Sequence, residues 1–312
     1  MALTMVLGAA AVTHAETAAA EIAPLVRDHV VRRPARAAGV TLRRHVRHIV
    51  LIGDSIVFDH GLTGGRPNSI VALVNDLVHQ RFPDVTVDNR AARGLSTLHA
   101  INPASPTLRP YLHALLDDAT ETPDLIVIAI SAIDLNLFPD VPVTALWPAL
   151  LVELEGVRDL VEARGAQVAF VPAFGASETM YEKYRSLAGR PVPPYPINHR
   201  IDAFNELLAG SGLPLLFRHF FGLDSDHDGD TDERFFVGHD VPGHGSPDDG
   251  VHPNGLGERV YADNLATALI APLTRQMTLF AATLTTGDAR RGDAQDERRR
   301  RHGRVRVDGA TS

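Results

Sequence analysis

No cysteine occurs among the 312 residues. Disulfides, thiolate catalysis and cysteine-ligated zinc are thereby excluded. Basic charge is scarce as well. Thirty Lys and Arg stand against 38 Asp and Glu, a formal net charge of −8, which argues against a nucleic-acid partner. No apolar run reaches the ~20 residues that a membrane-spanning helix needs, so no transmembrane segment is expected. No internal repeat is visible. Apolar residues are plentiful, at 45% of the chain, and allow a sizeable core. Nothing in the composition indicates an oligomeric state.

The N-terminal apolar run from Leu3 to Val12 ends at Thr13-His14-Ala15, a small-x-Ala pattern typical of signal-peptide cleavage. Residues 1–15 therefore read as a secretory signal, which places the protein in the periplasm or outside the cell. The segment before the run has no Lys or Arg, so a cytoplasmic protein with an amphipathic N-terminal helix is the alternative. Residues 16–46, rich in Ala and Arg, read as a linker and lead-in. A folded domain is expected over 47–284. Residues 285–312, with Glu297-Arg298-Arg299-Arg300-Arg301, read as a disordered, solvated charged tail.

Within the domain, short apolar runs alternate with segments of helical spacing. Ile49 to Ile52 is wholly apolar and ends in Gly53-Asp54-Ser55, as suits a buried parallel strand. Val85 to Val87, Leu125 to Ile130 and Gln167 to Val171 follow, with Leu213 to Phe217 as a weaker fifth strand. Helical faces are formed by Ile70, Leu73, Val74, Leu77 and Val78, by Leu146 to Val161, by Ile201 to Leu208, and by Leu256, Val260, Leu265 and Leu269. Such alternation implies an α/β fold with a parallel sheet covered on both faces. Residues 175–200 show no strong period and are expected to be a surface insertion over the C-terminal edge of the sheet.

Ser55 lies where the first strand ends, the place at which open α/β sheets bind ligands. Its hydroxyl needs a base. His252, in Asp249-Gly250-Val251-His252-Pro253-Asn254, can serve as that base and then as acid. Asp249 can orient it. Amide groups at a helix start after Ser55 can receive an oxyanion. Singly, each of these elements could be an incidental turn or loop.

Together, Gly53-Asp54-Ser55 after an apolar strand and Asp249-x-x-His252-Pro253 before the last helix resemble the SGNH (GDSL-type) hydrolase family. The resemblance covers roughly residues 47 to 272. It implies a flavodoxin-like three-layer α/β/α sandwich with a mostly parallel five-stranded sheet. It also implies esterase, lipase or carbohydrate-deacetylase activity on a small-molecule, lipid or glycan ester, with no cofactor needed for the chemistry. Ser55 matches the nucleophile, His252 the base and Asp249 its orienting acid. Asn89-Arg90-Ala91-Ala92-Arg93-Gly94 matches the second family block, except that Ala91 replaces a glycine. Gly94 matches the residue whose backbone N–H serves the oxyanion hole beside that of Ser55. Asp54, Asn89, Ser131 and Asn136 are candidate substrate-binding residues.

One departure stands out. Where the family carries Gly-x-Asn-Asp, this chain has Ser131-Ala132-Ile133-Asp134. Ile133 cannot donate a hydrogen bond to an oxyanion. Either two backbone donors suffice, or Ser131 or Asn136 substitutes, or the protein is a weakened or non-catalytic binder on the same fold. Asp134 is expected to have a structural role at the strand end.

Asp224, Asp226, Asp228, Asp230 and Asp232 alternate through nine residues, with Gly229 at the sixth. The run resembles the start of an EF-hand-type loop, and so a candidate structural calcium site. Phe235 occupies position twelve, where a bidentate Glu is usual, so a hydrated acidic loop is the alternative. His239 and His244, with Asp240 and Asp248, match no zinc spacing.

Overall fold

The computed structural model describes residues 40–43, 45–58, 70–119, 122–129, 133–190, 192, 194–224, 231–236 and 250–278. The chain divides into two compact units, Met1–Ile270 and Ala271–Ser312. In the second, residues 271–278 are helical. The expected signal segment and charged tail lie outside the described residues. Of the expected linker 16–46, residues 40–43 and 45–46 are described and are attached to the first unit. Val40 and Val46 are buried, and the Gln167 carboxamide accepts from Arg43 N at 3.0 Å and donates to Thr41 O at 3.2 Å. No helix among the described residues is long and apolar enough to cross a membrane.

The first unit runs β1 (His48–Ile52), α1 (Ile70–Arg81), β2 (Thr86–Asn89), α2 (Leu108–Asp118), β3 (Leu125–Ala129), α3 (Ile133–Leu137), α4 (Val143–Ala163), β4 (Gln167–Val171), α5 (Glu178–Leu187) and α6 (Ile197–Gly210). A 3₁₀ turn, Glu233–Phe235, follows. Residues 255–270 form the last helix of the unit, α7. All strand pairings are parallel, in the order β2-β1-β3-β4.

Among the described residues the sheet has four strands, against the five expected. Leu213 to Phe217 contributes a single parallel bridge, Leu215 to Phe170. Phe170 N donates to Pro214 O and Leu216 N to Phe170 O, both at 2.8 Å. Pro214 has no N–H to extend this ladder, so the edge strand stops at one rung.

Side chains alternate across a strand. Val50, Ile52, Ile126, Ile128, Val168 and Phe170 therefore share one face. They join the buried core with Leu108, Leu112 and Leu116 of α2, Leu150, Leu154 and Val157 of α4, and Ile201, Phe204 and Leu208 of α6. The alternate residues Ile49, Leu51, Leu125, Val127, Ala169 and Val171 are buried on the other face. α1 lies against β2, and Tyr261 of α7 stacks near Phe174 and Phe220 at 5.0 and 4.7 Å between ring centres.

Candidate active site

The strand order reverses direction between β1 and β3. A crevice therefore opens beyond their carboxyl ends, where ligands bind in open α/β sheets. Gly53 allows the turn there for a steric reason. A Cβ on it would lie 2.7 Å from Val57 Cγ2 and 3.3 Å from Ala129 Cβ. Asp54 then folds the chain back. Its Oδ1 accepts from Ile56 N at 2.9 Å, and its carbonyl accepts from Phe58 N at 2.8 Å. The turn leaves Ser55 partly buried. Asp54 itself is buried, as the foundation of the turn. Burial, and secondarily the Asp54 carboxylate, push the Tyr261 phenol far above its ordinary pKa.

Ser55 Oγ lies 2.9 Å from His252 Nε2 across 197 residues of sequence. The loop that carries His252 is fixed at both ends. At the front, Gly250 adopts φ +74°, and a Cβ there would meet Tyr181 N at 2.5 Å and Ser177 O at 2.7 Å. Gly250 O accepts from Ser177 N at 2.8 Å. At the back, Asn254 caps α7, its Oδ1 accepting from Leu256 N at 2.9 Å and Gly257 N at 3.1 Å. Its Nδ2 donates to Arg234 O at 2.8 Å, and its N to Phe235 O at 2.7 Å. Asp249 lies outside the described residues.

The far wall of the crevice begins with the loop after β2. Asn89 Oδ1 accepts from Ala91 N at 2.9 Å, so Asn89, like Asp54, builds a turn. Ala92 N donates to Gly53 O at 2.9 Å, joining this loop to the one that carries Ser55. Gly94 has φ +69°, and a Cβ would also press on Ser105 Oγ at 3.0 Å. The loop is held from the β3 side by Asp134, whose carboxylate accepts from Thr97 N at 2.7 Å and Leu98 N at 2.9 Å. Burial pushes the Asp134 carboxyl above its ordinary range, opposed by those two N–H groups. The expected structural role of Asp134 is thus a specific one, tying β3 to the Gly94 loop.

Asn136 follows on α3 and accepts at Oδ1 from the Tyr181 hydroxyl. Arg185 Nη1 donates to that hydroxyl at 3.2 Å. Burial raises the Tyr181 pKa, although the Arg185 and Arg200 guanidinium groups pull it the other way. Tyr181, Arg185 and Arg200 were not legible in the sequence as part of a site. The segment 175–200, expected to be a surface insertion over the C-terminal edge of the sheet, contains α5, and α5 spans from the His252 loop to α3.

Ser131, Asp226, Asp228, Asp230, His239, Asp240, His244 and Asp248 lie outside the described residues. Asp224 and Asp232 flank the acidic run. Its ends are drawn together by the bond from Asp232 N to Leu223 O at 2.8 Å, and Asp232 pairs with Arg234 at 3.0 Å. Among the described residues no group of three or more His, Asp or Glu could hold a metal ion.

Fold and site together set a serine against a histidine where the parallel sheet of an α/β sandwich ends. The profile of the GDSL-like Lipase/Acylhydrolase family matches residues 51–260, more than half of the chain. The chain belongs to that family, and is an ester hydrolase of the esterase/lipase kind. Among solved structures it is similar to a lipase/acylhydrolase from Enterococcus faecalis, with 19% identity, TM-score 0.43, and 71% of this chain and 94% of that chain covered. It is similar to the psychrotrophic esterase EstA from Pseudoalteromonas sp., with 17% identity, TM-score 0.47, and coverage of 73% and 99%. A carbohydrate acetylesterase family member from Sinorhizobium meliloti has 13% identity, TM-score 0.48, and coverage of 73% and 100%. No curated protein sequence matches.

Proposed function

We propose that the protein cleaves a carboxylic ester through an acyl-enzyme on Ser55. The observation that carries this reading is the 2.9 Å contact between Ser55 Oγ and His252 Nε2 at the mouth of the sheet. His252 takes the serine proton as Oγ attacks the ester carbon, and returns it to the departing alcohol. A water molecule, deprotonated by the same imidazole, then releases the acid. Asp249, three residues before His252, is the proposed orienting carboxylate. The backbone amides of Ser55 and Gly94 are the proposed oxyanion donors from the β1 and β2 sides.

Substrates are small carboxylic, lipid or acetylated-carbohydrate esters. The test is hydrolysis of short p-nitrophenyl esters by the parent and by Ser55→Ala. We expect kcat to fall by roughly 10³-fold or more in the mutant, the scale found when such a nucleophile is removed. Equal turnover in the two proteins would sink the mechanism.

A further inference from the structure

A tetrahedral intermediate needs donors aimed at its oxygen, fixed before the reaction begins. The β1 and β2 sides of the crevice can offer backbone amides. The β3 side offers α3, whose first residue, Ile133, has no polar side-chain atom. The side-chain amide that shares a face with Ile133 is Asn136, three residues further along the helix.

α3 has five residues, too few to persist without support. It is anchored on three sides. Asp134 receives Thr97 N and Leu98 N from the Gly94 loop. Arg200 Nη1 and Nη2 donate to the carbonyls of Leu135, Phe138, Pro139 and Val141 at 2.7–3.1 Å. Tyr181 bonds Asn136. The backbone of Tyr181 packs against Gly250, two residues before His252.

The direction of the Asn136 amide follows from donor counting. Arg185 can only donate, so the Tyr181 oxygen accepts from it at 3.2 Å. The hydroxyl proton is then available to Asn136, which must present its carbonyl oxygen to receive it. Its NH₂ group is left on the opposite side of the carboxamide. Burial keeps the phenol protonated, and the guanidinium polarises the chain of bonds in one sense.

We propose that Asn136 supplies the side-chain oxyanion donor that Ile133 cannot, with its amide aimed by Arg185 through Tyr181. The proposal rests on the Ser55 acyl-enzyme reading. As the bond from Ser55 Oγ to the ester carbon forms, the C=O π pair moves onto oxygen and His252 takes the serine proton. Asn136 Nδ2–H hydrogen-bonds that oxygen and transfers no proton. When the bond to the alcohol breaks, the electron pair re-forms C=O and His252 protonates the departing alkoxide. Asn136 is then a catalytic residue, and Tyr181 and Arg185 are positioning residues.

Asn136→Asp tests this directly. It keeps the size and an oxygen for Tyr181, but turns the donor into an acceptor. We expect kcat on p-nitrophenyl acetate to fall about 10²–10³-fold, with KM within about threefold. Inhibition by an alkyl trifluoromethyl ketone, which adds to serine as an oxyanion, should weaken by the same factor. A purely structural role would not move the inhibitor and kcat together while sparing KM. A fall in kcat below tenfold, or one that the inhibitor does not follow, overturns the proposal. Tyr181→Phe gives a second reading if Asn136→Asp does not fold. Its kcat should fall about tenfold, and parent-level kcat there also overturns it. Undiminished turnover in Ser55→Ala marks the separate failure of the acyl-enzyme reading itself.

Discussion

Replacing Arg200 by Met should cost the protein a large share of its stability. The residue is 3% exposed. Its Nη1 donates to Leu135 O at 2.7 Å and Pro139 O at 3.0 Å, and its Nη2 to Phe138 O at 2.8 Å and Val141 O at 3.1 Å. Charged hydrogen bonds are worth about 1.5–3 kcal/mol each, so the four would come to roughly 6–12 kcal/mol. Desolvation of the guanidinium opposes this, and it also pulls the Arg200 pKa below the ordinary value. Met fills the space of the aliphatic stem but leaves carbonyls at the end of α3 without their donor. A buried carbonyl left without its donor costs about 1–3 kcal/mol, so with desolvation of the guanidinium recovered the expected net loss is about 3–5 kcal/mol. For a unit of this size it is a drop in Tm on the order of 10 °C. Urea unfolding followed by circular dichroism measures it. A loss below about 1 kcal/mol would show that water replaces the guanidinium freely, and that α3 does not depend on it.

Gly250→Ala should be poorly tolerated. A Cβ at φ +74° would sit 2.5 and 2.7 Å from backbone atoms of Tyr181 and Ser177, which cannot yield as a flexible side chain would. We expect a stability loss of about 1–3 kcal/mol and a kcat at least tenfold lower as His252 shifts, so a variant as stable and active as the parent refutes the tight junction. Asp134 should make stability pH-dependent. Its folded pKa is raised by burial, so the folded state holds the proton more tightly than the unfolded chain. Stability should therefore decline as pH rises from the ordinary aspartate range through the raised value. Asp134→Asn should remove that part of the slope, and equal slopes in paired Tm-versus-pH series would refute it.

The fold was legible where one physical signal dominated. β1, β3 and β4 are apolar on both faces because helices cover both, so continuous runs marked them. α4 repeats its buried residues through Leu146, Leu150, Leu154, Val157 and Val161, enough turns to display a period. α2 was missed. It buries Leu108, Leu112 and Leu116, but Arg109-Pro110 resembles a turn. The proline is tolerated because the first turn of a helix needs no intrahelical donor. α5 was missed for another reason. Its buried residues are Met180, Tyr181 and Arg185, so its inward face mixes apolar with polar groups and offers too few aliphatic side chains to display a period.

The same property that hid α5 makes it relevant to the chemistry. Ser55 and His252 could be proposed from sequence because each sits at a strand end or before a helix, where local pattern fixes the backbone. The contact between α5 and α3 has no local pattern. It depends on Asn136 meeting Tyr181 across 45 residues, and on a glycine at 250 that lets the His252 loop reach the backbone of α5. A buried arginine and tyrosine incur a desolvation cost that an apolar helix face would avoid. Stability alone does not favour such a face, since replacing a whole buried polar arrangement, all partners together, by well-packed apolar groups is often neutral or better. What the polar face adds is direction. It fixes which way the Asn136 amide points, on the helix whose first residue, Ile133, has no polar side-chain atom.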